Sequence, residues 1–339
     1  MAQGTSGGED TLYPTREVVP GIWRITLPLP FALRSVNVYA LREGNEWCLI
    51  DVGLRTRAAE AALRAGCEAA GLRLRDLRTI VLTHAHPDHI GLSGILEAES
   101  GAQVLMFGPE VEQMWHVWGD AAYESFRATA RMFFHHGMPQ DEARFSAEEA
   151  AQNARAVCLP RRVTPLRDGQ KITLPGGRYQ VIWTPGHADG HICLYRAADG
   201  LLIAGDHILP RITPNIGLYP ASRPDPLSDY LNSLTKIERL PAVLVLPGHG
   251  DIFTDLRHRV AQLREHHAQR ASQLLELLAG RPTTAYALAE ALFASRFDTV
   301  SNRRFALAET LAHLEHLHHK HRVEPVHGSE MVRYRALAA

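Results

Sequence analysis

Thr83-His84-Ala85-His86-Pro87-Asp88-His89 follows the apolar run Thr79-Ile80-Val81-Leu82 and puts three histidines and an aspartate into one loop. Neutral imidazole and carboxylate are ordinary ligands of zinc, iron and manganese, so the chemistry this stretch suits is divalent-metal binding. The alternative is a polar loop with incidental histidines, but buried strands end in turn residues far more often than in four potential ligands. Three further candidates each stand directly after an apolar run: His187 in Thr184-Pro185-Gly186-His187, Asp206 in Ala204-Gly205-Asp206-His207, and His249 in Pro247-Gly248-His249-Gly250. Each of the four loops has Gly or Pro beside its ligand. A metal site needs side chains that converge from rigid strand ends, and Gly permits the tight turns that aim them.

The elements that must carry these loops are legible from periodicity. Residues 21–28, 36–41 and 46–51 predict strands, the last two joined as a hairpin by Glu43-Gly44-Asn45. A helix is expected over residues 56–70, ending at Gly71, then the strand that enters the His-rich loop, a short helix over 91–100 and a strand at 102–107. Residues 109–153 read as a helical insert rich in Met114, Trp115, Trp118, Tyr123, Phe126, Met132, Phe133 and Phe134. Such a stripe is expected to be core or subunit contact, with a lid or apolar wall over the metal site as its functional reading. Strands at 171–174, 179–183, 191–195 and 201–206, a helix over 226–239 and a strand at 243–246 follow. Beyond residue 256 the pattern is helical, broken at Gly280-Arg281-Pro282. Thr283-Thr284 and Asn302 are expected helix caps, and strands near 323–326 and 331–334 close a winged-helix-like order.

A chain of 339 residues suits a large domain plus a smaller one. With 45% apolar and 22% charged residues it can bury an ordinary globular core. The formal net charge of -1 does not advertise a nucleic-acid or anionic-membrane partner. Cys48, Cys67, Cys158 and Cys193 form no C-x-x-C pair, which speaks against a thiolate zinc site or a disulfide framework and for reduced, buried thiols. The first ten residues are Gly/Ser/Thr-rich without a basic region leading into an apolar one, and no run approaches the ~18 apolar residues of a membrane span. The expected location is the cytoplasm.

The order and spacing of the metal motifs resemble the metallo-β-lactamase superfamily, whose His-x-His-x-Asp-His loop is followed by a His, a bridging Asp and a final His. The resemblance covers residues 18–257. It implies an α/β catalytic domain built as a four-layer αββα sandwich, with the site at one edge of the two sheets. It also implies two divalent metal ions, zinc being the first expectation and Fe or Mn the alternatives. One would be held by His84, His86 and His187, the other by Asp88, His89 and His249, with Asp206 bridging. Asp51, in Ile50-Asp51-Val52-Gly53, matches the position that supports the His-rich loop. No cysteine takes the bridging position, as one does at the second metal site in many true β-lactamases of this superfamily. Asp206 points instead to the branches that resemble hydroxyacylglutathione hydrolases, lactonases and phosphodiesterases. Residues 258–339 are similar to the winged-helix appendage of the lactamase-like group that includes a ribonuclease.

The function so implied is a metal-dependent hydrolase whose metal-bridging hydroxide cleaves a small ester, thioester or lactone, with Asp88 as the candidate catalytic residue. His191 and His207 lie beside assigned ligands and are candidates for supporting them or facing substrate. Arg211, Asn215 and Tyr219, on the Pro-rich loop after Asp206, are the polar candidates for gripping it. His313, His316, His318, His319 and His321 are expected on a solvated helix. Three other readings compete. A ribonuclease or phosphodiesterase borrows the C-terminal resemblance, but residues 258–339 hold 11 Lys/Arg against 8 Asp/Glu, a modest +3 for gripping nucleic acid. A persulfide-dioxygenase-like oxidoreductase would use a single iron and fewer ligands. A non-enzymatic ligand-sensing regulator would bind DNA. Pocket closure or homodimer contact is as good an expectation for the C-terminal part.

Overall fold

The computed structural model describes residues 14–30, 33–328 and 330–337; the Gly/Ser-rich start of the chain lies outside them. Seven strands form the first sheet in chain order: β1 (Thr15–Val19), β2 (Ile22–Pro28), β3 (Ser35–Glu43), β4 (Glu46–Ile50), β5 (Leu77–Val81), β6 (Gln103–Phe107) and β7 (Thr164–Leu166). The first four pair antiparallel through short turns, and β4 to β7 pair parallel. Parallel pairing demands crossovers. These are α1 (Arg57–Ala69), then α2 (Pro87–Ile90) with α3 (Ser93–Ser100), then the insert helices α4 (Gly108–Trp118), α5 (Ala122–His135) and α6 (Gln140–Ala154). Thr56 caps α1 by accepting the Ala59 N–H at 3.1 Å.

The period-2 alternation of a strand assigns each side chain to a layer. In β3, Val36, Val38 and Ala40 pack with Ala59, Leu63 and Cys67 of α1 on the outer face. Tyr39 and Leu41 point the other way, into a core shared with the second sheet. That sheet runs in the order β12 (Leu244–Pro247), β11 (Leu201–Gly205), β10 (Ile192–Arg196), β9 (Gly177–Trp183), β8 (Lys171–Leu174). Strands β10 and β11 are buried along their whole length, as continuous apolar runs covered on both faces should be. Helices α7 (Pro226–Glu238) and α8 (Leu256–Leu277) cover the far face through Leu227, Tyr230, Leu234, Val260 and Leu263. The result is the expected four-layer αββα sandwich.

After α8 come α9 (Ala285–Leu292), α10 (Val300–His319) and the antiparallel pair β13 (Val323–His327) and β14 (Val332–Ala336), in the order read from sequence. Their core is not self-contained: Phe133, Met138 and Ala143 of the insert region pack with Leu274, Leu288, Leu307, Leu311 and Leu314. Glu142 of α6 joins in, accepting from Tyr286 Oη at 2.8 Å and Arg303 Nη1 at 2.7 Å. The aromatic insert therefore serves first as a core partner of the C-terminal helices, while Trp115 and Tyr123 stay exposed.

Helix α10 departs from expectation. It is buried from Ala306 to Leu314, and His313 and His316 are in its interior; only His319 and His321 of the expected solvated cluster are exposed. Apolar residues occur all round this helix, so no polar face is left, and α6, α7, α8 and α9 pack around it. His313 Nε2 lies 3.1 Å from His267 Nδ1, and His316 Nδ1 lies 3.0 Å from Asp225 Oδ2. The cap is Thr299, whose hydroxyl accepts the Asn302 N–H at 3.1 Å, in place of the expected Asn302 itself. Cys48, Cys67 and Cys193 are buried free thiols, and burial pushes Cys67 and Cys193 up to about 12; Cys158 is half-buried. Among the described residues no helix is long and apolar enough to cross a membrane.

Candidate metal centre

Strands β9, β11 and β12 run in one direction, since each is antiparallel to β10 or parallel to a neighbour that is. Their C-terminal ends carry His187, Asp206 and His249, and the end of β5 in the facing sheet carries His84 to His89. All seven side chains meet at that edge. Three trios form there: His84, His86 and His187; His84, His89 and Asp206; Asp88, His89 and His249. Within each trio one potential ligand atom per residue lies within 4.8 Å of the others.

What surrounds the imidazoles decides which nitrogen faces the cluster. His187 Nδ1 donates to the backbone oxygen of Asn215 at 2.9 Å, and His249 Nδ1 to that of Ser35 at 2.6 Å. His89 Nδ1 donates to Asp51 Oδ2 at 2.8 Å. A carbonyl or carboxylate can only accept, so in all three rings the proton sits on Nδ1 in the neutral form and the Nε2 lone pair points inward. These three Nε2 atoms and Asp206 Oδ1 are buried, and none has a hydrogen-bond partner among the described residues. Buried polar atoms are almost always paired. Four converging orphans with their lone pairs turned on one another are the donor set of a cation, and the site fits divalent metal.

Charge within the cluster agrees. Burial holds His84 well below its usual range and His86 down to about 3, with neighbouring imidazoles adding to the effect, so both are neutral donors. Burial also works against a charged His249, but Asp206 and Asp88 outweigh it and raise this ring to about 10. Asp206 Oδ2 stands 3.2 Å from His249 Nε2 and 3.6 Å from His187 Nε2, while its Oδ1 is 3.5 Å from His89 Nε2.

Backbone conformation aims the loops. Asp51 sits at φ +59°, a left-handed conformation rare for a side-chain-bearing residue and suited to Asp or Asn. From there its carboxylate accepts the Thr83 N–H at 2.8 Å and the Thr83 hydroxyl at 2.9 Å as well as His89, fastening both ends of the His-rich loop. At Gly248 an added Cβ would fall 2.2 Å from Asp206 Oδ1 and 3.0 Å from His89 Cε1. Gly248→Ala is therefore expected to displace Asp206 and reduce metal binding by at least about tenfold, the scale of loss seen when a ligand's supporting contacts are disturbed, with little change in far-ultraviolet circular dichroism. Unchanged affinity in a chelator competition would show that the loop yields without cost.

The other sequence candidates separate. His191 is placed beneath Asp206, its Nε2 accepting the Asp206 backbone N–H at 3.1 Å and its Nδ1 paired with Thr184 Oγ1 at 2.9 Å. His207 is a correction: its ring faces Tyr230 at 5.2 Å in the core of the second sheet, and neither ring nitrogen has a hydrogen-bond partner or joins the ligand trios among the described residues. The chain turns at Asp206, which sends the next side chain to the opposite side. Arg211 is exposed on the surface. Tyr219 packs on Phe133, ring centroids 6.3 Å apart, within the core shared by insert and C-terminal helices, so it too is structural. Asn215 reaches the site through its backbone oxygen.

One supporting group escapes the sequence reading, and a second, Trp118, enters it only as part of the aromatic insert. Glu110, on the first turn of α4, is buried and accepts the Ala85 N–H at 2.8 Å and the Gly190 N–H at 2.6 Å, tying the His84–His86 loop to the His187 loop. Trp118 Nε1 donates to Ala85 O at 2.6 Å from the same helix. A lone glutamate after a strand carries no signal of such a role.

Residues 32–249 match the Metallo-beta-lactamase superfamily, and residues 271–337 match the Metallo-beta-lactamase-like, C-terminal domain. A crystal structure of a metallo-beta-lactamase family protein from Thermus thermophilus is 38% identical, with TM-score 0.86 over 95% of this chain and 100% of that one. A probable metallo-hydrolase of Bacillus subtilis, YqjP, is 29% identical over 302 residues, covering 86% of this chain and 90% of its own. The atrochrysone carboxyl ACP thioesterase of Aspergillus fumigatus is 25% identical over 291 residues, 82% of this chain and 75% of its own. With the sandwich and the appended helices both matched, and with an edge of inward-facing imidazoles and carboxylates that fits divalent metal, the chain belongs to the metallo-β-lactamase superfamily and is a metallohydrolase.

Proposed function

We propose that the protein hydrolyses a small thioester, ester or lactone at a centre of two divalent ions. His84, His86 and His187 would hold one, Asp88, His89 and His249 the other, with Asp206 shared between them. The observation that carries the reading is the convergence of seven side chains in three overlapping trios, more ligands than one ion takes. A single iron with three ligands would leave the Asp88–His249 half without a purpose. Ions bound there would supply the positive charge that polarises a substrate carbonyl and acidifies a water molecule. This chain's own part is orientation: Asp51, Ser35 and Asn215 lock three rings, and Glu110 holds two loops in register.

Asp88 is the residue for the proton. Its side chain is 18% exposed against 0% for His89, 4% for His249 and 8% for Asp206, so it borders the side from which substrate and water arrive. Burial raises its pKa, but His89 and His249 prevail and hold it down at about 2, so the carboxylate stays ionised and can orient the nucleophile and its proton.

The thioesterase named among the relatives favours an acyl substrate. Burial of α10 disfavours nucleic acid, because the helix that a winged helix would offer to a groove is inside the protein. A panel of thioesters, lactones, phosphodiesters and single-stranded RNA, run with elemental analysis, tests the proposal. Acyl hydrolysis lost to a chelator and restored by Zn²⁺ is expected, with about two ions per chain. RNA cleavage that falls steeply with salt would replace it with the nuclease reading. One Fe per chain with persulfide oxidation, or a DNA shift at physiological salt without turnover, would replace it with the oxidoreductase or the regulator.

A further inference from the structure

Helix α10 belongs to the C-terminal part of the chain, yet one of its side chains points back towards the metal edge. Glu309 is 7% exposed, in the run Ala306-Leu307-Ala308-Glu309-Thr310-Leu311, where every neighbour is buried. A carboxylate so placed needs a partner. Its Oε2 accepts from Asn215 Nδ2 at 3.1 Å, and the same amide nitrogen lies 3.4 Å from the backbone oxygen of Phe305. Three residues on, the Leu218 N–H donates to Ala308 O at 3.0 Å. The Asn215–Leu218 stretch is thus pinned to α10 by a side-chain clamp and a backbone bond. Asn215 then presents its own carbonyl to His187 Nδ1 at 2.9 Å.

From this we infer that Glu309 is a positioning residue for the metal centre: through the Asn215 amide it fixes the carbonyl that sets the tautomer and direction of His187, making the C-terminal part a working component of ion binding. The inference rests on His187 being a metal ligand. Its logic is that of any outer partner of a ligating histidine. The Nδ1–H···O bond holds the ring, and whatever holds the acceptor holds the ring too. What is unusual is the route, which runs across two parts of the chain and ends on a helix with no side chain in the cluster.

Zn²⁺ affinity of the full chain, measured by competition with a chromophoric chelator, tests it through binding alone. Glu309→Ala is expected to weaken one of two binding steps by about 10- to 100-fold, the range for loss of an outer partner, and to leave the other within about threefold. Glu309→Gln keeps an oxygen to accept from Asn215 and should stay within about threefold of wild type. Asn215→Ala, which frees the loop but retains its carbonyl, should reproduce the Glu309→Ala loss, and the double variant should be no worse than either single change because both cut one path. Normal affinity in Glu309→Ala, a Gln variant as impaired as Ala, or losses that add in the double variant would each overturn the relay. Should Glu309→Ala fail to fold, Asn215→Ala on the half-buried loop decides by the same criterion. A wild-type chain that binds no Zn²⁺ would instead remove the metal reading beneath it.

Discussion

Asp206→Ala is expected to leave at most one ion per chain and to lower kcat/KM by on the order of 10⁴-fold, about 5 kcal/mol of transition-state stabilisation. Among the described residues, Asp206 is the one carboxylate within 3.6 Å of three candidate ligand imidazoles, reaching His89 with one oxygen and His187 and His249 with the other. In the proposed two-ion centre, losing a peripheral ligand would weaken one ion, whereas losing this one would weaken both and remove the negative charge that offsets two dications. The fold should survive, since the Asp206 backbone N–H keeps its bond to His191 and the strand before it remains buried. Elemental analysis and steady-state kinetics on the same preparation provide the check. Two ions retained with near-normal turnover would take Asp206 out of the centre.

A second large effect is expected at Glu110. Glu110→Ala strips the acceptor from two buried N–H groups at once, Ala85 and Gly190, at a cost of about 1–3 kcal/mol each. It also uncouples the loop bearing His84 and His86 from the loop bearing His187, so metal affinity should fall about 10- to 100-fold. The carboxyl has a pH signature. Burial pushes it up to about 7 even though both N–H donors pull it down, whereas in the unfolded chain it titrates near ~4.3. Between those values the folded state retains a proton that the unfolded state has lost. Its contribution to stability is therefore fully present below about pH 4, declines as pH rises through the window to about 7, and is flat above, by up to roughly 3 kcal/mol. Melting curves of the metal-free wild type and variant across about pH 4–8 should differ by that slope. Parallel pH profiles would mean the carboxyl titrates normally.

Much of this could be read in the chain because ligand chemistry is local. Four imidazole- or carboxylate-bearing loops after apolar runs announce themselves, and strand periodicity sorts β3 and β4 into their layers. The residues that escape or mislead act by relations that periodicity does not encode. Asn215 and Ser35 work through backbone oxygens, which every residue possesses. Glu110 and Glu309 are ordinary helical glutamates until the fold buries them, although a charge inside an apolar run is a legible signal for Glu309. Helix α10 reads as solvated only while its histidines are counted as polar; held below its usual range by burial, and packed, His313 behaves as core. His207 shows the converse: adjacency to a ligand says little when a turn throws the next side chain to the other side.

The shared core of insert and C-terminal helices also has a temporal meaning. Phe133 and Met138 leave the ribosome roughly 140 residues before Leu274 and still longer before Leu307, their packing partners. At typical synthesis rates of about 5–20 residues per second, that is an interval on the order of ten seconds. Throughout it the face carrying Phe133 and Met138 lacks the C-terminal helices that cover it in the finished fold. The nascent chain is most vulnerable to sticking to its neighbours in that interval, and the last helices to be made are the ones that end it.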